Sequence, residues 1–147
     1  MQAQAARTPE LGGMVLQSPI ASAGLVVFRE SIARALADFD LFRNYEKIKL
    51  VQCRTLVIHG REDTMVPFDH ALMLFPLLRD AHDPLWVDGA GHHDLPDVVC
   101  LEAVSDFIAY VEDRNMQRYG RARDDSVMPL VGEDRTLLGW VMSGLFW

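Results

Sequence analysis

Cysteine is scarce in this chain: there are two in 147 residues, Cys53 and Cys100. They form no C-x-x-C pair and no secreted-type framework, which argues against a disulfide-stapled scaffold. Buried free thiols with a structural role, in a reducing compartment, are expected instead. Positive charge is also in deficit. Fourteen Lys and Arg face twenty-one Asp and Glu, for a net charge of −7, and the pI lies near 5.1, so a nucleic-acid backbone is not an expected partner. No apolar run reaches the roughly 18 residues a membrane span requires. The apolar stretch from Leu137 to Trp147 is too short; docking on the domain is its expected fate, ahead of lying on a membrane surface. Met1 to Arg7 lack the apolar core of a signal peptide. Internal repeats and low-complexity tracts are absent. So are H-E-x-x-H and Cys/His ligand spacings, and neither a metal nor a cofactor is expected, even at His92-His93-Asp94.

What is present fits one folded domain. Half of the residues are hydrophobic and 24% are charged, an ordinary soluble composition, and a chain of this length can bury a core. Residues 1–10 are Ala-rich and helix-compatible until Pro9 stops the run. Gly12 to Ser18 reads as a short buried strand ending at Pro19. Phe28 to Phe39 carries helical apolar spacing through Ile32, Leu36 and Phe39. A second strand spans Arg54 to His59. A helix from about Phe68 to Phe75 puts Ala71, Leu74 and Phe75 on one face, with Pro67 suited to its first turn. A third strand covers Pro84 to Val87. A last helix runs from Asp97, a plausible N-cap, to Val111, with Leu101, Val104, Ile108 and Val111 on its buried face. Residues 114–147 form an extension, with a solvated Arg-rich start.

Alternating strands and helices of this length predict an α/β fold with a parallel sheet and right-handed crossovers. Parallel strands are covered on both faces, which suits the unbroken apolar run Leu56-Val57-Ile58. Three strands are few, however. The Met14-Val15-Leu16 strand is expected to be an open edge through which the chain could associate with itself.

Two stretches carry the chemistry. Thr55-Leu56-Val57-Ile58-His59-Gly60-Arg61-Glu62-Asp63 and Leu85-Trp86-Val87-Asp88-Gly89-Ala90-Gly91-His92 each run from a strand through glycine to one polar side chain. Taken singly, Asp63 reads as a turn residue or cap and His92 as an ordinary histidine. Together they differ. Sites in open α/β sheets form beyond the carboxyl ends of strands, and neighbouring strand ends lie about 4.8 Å apart. Asp63 could then orient the His92 imidazole and stabilise its protonated form, as the acid and base of a catalytic triad. His59, His70 and His82 have no partner spacing and read as core or surface residues.

These residues resemble the C-terminal half of the α/β-hydrolase fold, and within it the α/β-hydrolase domain-containing 17 group of serine hydrolases, which remove palmitate from protein cysteines. Val15-Leu16-Gln17-Ser18-Pro19, Phe39-Asp40-Leu41-Phe42-Arg43-Asn44-Tyr45-Glu46-Lys47-Ile48 and Pro84-Leu85-Trp86-Val87 add to the likeness, which covers about residues 11–112. It implies the last three strands of that fold over residues 1–113, Asp63 as triad acid, His92 as base, and an acyl ester or thioester substrate. Leu25, Val26, Val27 and Phe28 line an acyl pocket or simply pack a helix. His93 stands where asparagine is expected. The resemblance also calls for a G-x-S-x-G nucleophile elbow, and none of Ser18, Ser22, Ser31, Ser105, Ser126 or Ser143 occupies one. The elbow is expected about twenty residues before Met14, as in a truncated or partial chain. The Cys-rich anchor of that group is not found either. Membrane attachment therefore does not transfer, and a cytoplasmic location, membrane-peripheral in the full-length protein, is expected. The leading expectation is the acid/base half of a serine hydrolase, inactive alone. The alternatives are a non-catalytic interaction module, or a partner chain that carries the elbow.

Overall fold

The computed structural model describes residues 12–22, 43–120 and 140–143. The expected helix at Phe28–Phe39, the acyl-pocket candidates from Leu25 to Phe28, the Ala-rich start and most of the C-terminal extension lie outside them. The described chain runs through β1 (Gly13–Gln17), then α1 (Asn44–Lys47) with a 3-10 turn at Ile48–Leu50, and β2 (Arg54–Gly60). After β2 come α2 (Asp69–Leu74) with a 3-10 turn at Phe75–Leu77, β3 (Leu85–Val87), α3 (Asp97–Gly120) and β4 (Trp140–Ser143). One sheet of order β3-β2-β1-β4 contains every strand among the described residues. All three neighbouring pairs are parallel, in a register that sets Leu16 beside Val57 and Gly60 beside Val87.

The continuous apolar runs are explained by cover on both faces. Met14, Leu16 and Val57 pack on one side with Ile48, Ala71 and Leu74. Val15, Leu56 and Ile58 pack on the other with Leu95, Phe107 and Val111. Because successive strand side chains point to opposite faces, these six residues of β1 and β2 supply two cores. The α2 pattern holds as read: Ala71 and Leu74 are fully buried, and the Pro67 carbonyl closes the entering turn by accepting from the His70 amide.

Three expectations need correction. β1 is not an open edge, because β4 pairs with it from Gly13–Trp140 to Leu16–Ser143 and so satisfies backbone groups that an edge would leave to water. α3 does not stop at Val111 but continues to Gly120. Its last turns are held by polar side chains, with Gln117 donating to Asp113 and Arg114 paired with Asp80. The buried stripe of α3 is also set differently. Phe107 and Val111 are buried and Cys100 and Val104 pack beside them, a 4-3-4 spacing that starts one residue earlier than expected. Leu101 consequently falls outside and is 64% exposed, next to exposed Val98 and Val99.

Cys53 and Cys100 are free and half-buried rather than fully enclosed. Burial pushes both thiols above their ordinary pKa, which leaves little thiolate at neutral pH and fits a packing role. No helix among the described residues is long and apolar enough to cross a membrane.

Candidate active site

The site forms where the loops after β2 and β3 meet. The two loops continue pairing past the ends of the strands. The Arg61 amide donates to the Val87 carbonyl and the Glu62 amide to the Ala90 carbonyl, at 2.9 and 3.0 Å. This close approach depends on Gly60. A Cβ there would stand 2.3 Å from the Ala90 oxygen and 2.7 Å from the Gly91 oxygen. Gly89 turns the chain with φ at +73°, a conformation glycine adopts without the penalty of a side chain. The Gly91 amide then donates to Asp94, which ties down the loop that carries His92.

Asp63 and His92 come together as the sequence pattern predicts. His92 Nδ1 lies 2.7 Å from Asp63 Oδ2. An ionised carboxylate only accepts, so Nδ1 carries the proton and Nε2 remains the ring's proton acceptor. Asp63 Oδ1 accepts from the Met65 amide at 2.9 Å and the Val66 amide at 2.7 Å. Asp63 is therefore both the turn-former that a lone aspartate suggests and the partner of His92, one oxygen for each task. Its side chain is fully buried, while that of His92 is 12% exposed. Burial alone would raise the Asp63 pKa. The hydrogen bonds from His92, Val66 and Met65, with the charge of His92, outweigh it and hold the carboxyl below its usual value.

The remaining histidines divide. His93 is exposed and meets His92 edge-on, with ring centroids 4.9 Å apart. His70 is a core residue whose Nδ1 accepts from the Ala21 amide. His82 packs against Phe107 and Tyr110. His59 is fully buried, as a core histidine would be, but it is not isolated. Its Nε2 lies 2.9 Å from the Val66 oxygen and 3.4 Å from Asp63 Oδ2. The i,i+4 spacing of His59 and Asp63 across a glycine turn is the sequence signal for this contact, and the spacing between histidines alone does not reveal it. Among the described residues, no group of three or more His, Cys, Asp or Glu is placed to hold a metal ion.

Burial lowers the pKa of His59, His70 and His82. The unfolded chain, with ordinary histidines near pH 6.5, thus binds protons first as pH falls. Stability should be full above about pH 7 and decline below about 6.5, by up to about 1.4 kcal/mol per pH unit for each histidine that must charge. Thermal melts at pH 7.5 and 5.5 check this, with a fall in Tm at the lower pH expected and an unchanged Tm contrary. The Asp63 contribution has the opposite charge type but the same direction. It is present above the unfolded carboxyl value near 4 and is lost only at lower pH.

Residues 30–113 match the model of a family described as the prolyl oligopeptidase family. Among curated proteins, α/β hydrolase domain-containing protein 17B of Homo sapiens is 38% identical over 86 residues, which cover 58% of this chain and 29% of that protein. α/β hydrolase domain-containing protein 17C of Mus musculus is 37% identical over 102 residues, covering 69% of this chain and 31% of the relative. The chain thus spans less than a third of the length of these relatives. Among solved structures, an α/β hydrolase from a sediment metagenome of the Mar Chica lagoon, Morocco, is 17% identical with a TM-score of 0.48, covering 78% of this chain and 58% of its own. The resemblance to the α/β-hydrolase domain-containing 17 group, read from the residues of the two strand–turn stretches, is present in whole-segment identity.

Proposed function

This chain belongs to the prolyl oligopeptidase family, and on that footing we propose that it is the acid/base half of an α/β-hydrolase-fold serine hydrolase. One observation carries the reading: Asp63 and His92 are joined at 2.7 Å beyond the ends of adjacent parallel strands. In this reading His92 Nε2 takes the proton of a serine hydroxyl as that oxygen attacks an acyl carbon. It later returns the proton to the leaving group. Asp63 keeps the ring in the productive tautomer and stabilises the imidazolium. The serine and one oxyanion-hole amide come from a G-x-S-x-G segment, and the second amide from an earlier loop, both outside these 147 residues. An acyl ester or thioester is the substrate class, with palmitoyl-cysteine as the specific candidate drawn from the likeness to the 17 group.

The test is hydrolysis of short- and long-chain acyl thioesters by the chain alone and by the chain joined to a nucleophile-bearing N-terminal half. Turnover only in the joined form is expected. Turnover by the chain alone, abolished by His92→Ala, would place the nucleophile within it.

Self-association belongs to the same proposal. With β1 covered by β4, the exposed apolar side chains of Val98, Val99 and Leu101 are the surface that calls for a partner. Sedimentation of the purified chain should show oligomers that dissociate when Leu101 is replaced by Glu. A monomer at tens of micromolar would count against it.

A further inference from the structure

His59 takes no part in proton transfer as described above, yet it is fully buried against the acid of the pair. It is the penultimate residue of β2, four residues before Asp63. Its Nε2 faces the Val66 carbonyl at 2.9 Å, and a carbonyl only accepts, so Nε2 bears the proton. Val66 is thereby held through both of its backbone polar groups. Its oxygen accepts from His59, and the Val66 amide donates to Asp63 Oδ1 at 2.7 Å. The same His59 Nε2 borders Asp63 Oδ2 at 3.4 Å, on the oxygen that receives His92 Nδ1. Phe68 closes the far side. Its ring meets His59 edge-on at 5.7 Å and Trp86 of β3 edge-on at 5.1 Å, so Phe68 packs across side chains of both strands that carry the pair.

We propose that His59 is the positioning residue of the acid–base pair, fixing the Val66 turn and the Asp63 carboxylate so that Oδ2 stays aimed at His92. This rests on the reading of Asp63 and His92 as acid and base. Burial keeps His59 neutral, so it orients the carboxylate without cancelling the charge that the imidazolium needs. Its role differs from packing: a side chain of equal bulk without a donor at the Nε2 position fills the space and leaves the Val66 oxygen and the carboxylate unheld.

The chain as it exists permits a direct test. In proton and nitrogen NMR, the hydrogen-bonded His92 Nδ1–H should give a downfield resonance, and the His92 ring should show the Nδ1–H tautomer. His59→Gln, whose amide nitrogen reaches the Nε2 position, should keep both. His59→Leu should lose both while the amide signals of the sheet stay in place. If His59→Leu unfolds the chain, His59→Asn decides, because its shorter amide does not reach Val66. An unchanged His92 signature in a folded Leu or Asn variant overturns the proposal. In the joined enzyme, His59→Leu should lower kcat about 10- to 100-fold with little change in KM, the scale of a misplaced catalytic group, and Gln should restore it to within a few-fold. Near-normal kcat in His59→Leu, with His92→Ala inactive, overturns positioning alone. Normal rates in both His92→Ala and Asp63→Asn overturn the acid–base reading itself.

Discussion

Replacing His92 by alanine in the joined enzyme should lower kcat by about three to four orders of magnitude, and Asp63→Asn should do nearly the same. The two losses have different causes. His92→Ala removes the proton acceptor. Asp63→Asn retains shape, but an amide in place of Oδ2 can present its own N–H to the ring and reverse the tautomer, leaving Nε2 protonated and unable to accept. His93→Ala should cost far less. Its ring is exposed and touches His92 only edge-on, so its loss disturbs packing at the rim and no proton path. Initial rates on one acyl thioester for the three variants separate these cases. Equal losses at His92 and His93, or near-normal rates with Asp63→Asn, would contradict the assignment.

The second large effect is structural. Gly60→Ala should destabilise the isolated chain by about 3 kcal/mol, the upper part of the range for overpacking. The added Cβ would meet backbone on one side, the Ala90 and Gly91 carbonyls at 2.3 and 2.7 Å, and backbone has no rotamer by which to yield. Relief requires moving the His92 loop off the end of β2, which breaks the Glu62–Ala90 hydrogen bond and draws His92 away from Asp63. Gly91→Ala is the control. Its Cβ would come within 3.1 Å of Asp94 Oδ1, the end of a side chain that can shift, and a cost of about 1 kcal/mol or less is expected. Urea denaturation measures both, read as a change in midpoint at constant slope. Similar midpoints for the two variants would mean that the loops are not as tightly apposed as described.

The parallel α/β sheet and the Asp63–His92 pair were legible because each rests on local pattern: an apolar run, a glycine, then one polar group. Strand order then brings the two loops together without further information. What was not legible depends on contacts between segments distant in sequence. The phase of α3 is decided by which residues meet Leu56 and Ile58, and Cys100 and Phe107 take the places expected of Leu101 and Ile108. The partner of β1 comes from Trp140–Ser143, more than 120 residues downstream, in a stretch whose apolar character alone says only that it docks. The sequence leaves His59 as a core or a surface residue, and the structure places it in the core. Its second role appears only once the Asp63 turn folds back over it.

The central claim is that this chain holds a preformed acid–base pair and takes its nucleophile from another segment. Reaction with a fluorophosphonate probe, followed by mass spectrometry of the labelled peptide, tests it most directly. None of the six serines of the chain alone should be labelled. When the chain is joined to a nucleophile-bearing half, one serine of that half should be labelled, and labelling should be lost with His92→Ala. Labelling of a serine within the 147 residues, lost with His92→Ala, would contradict the account.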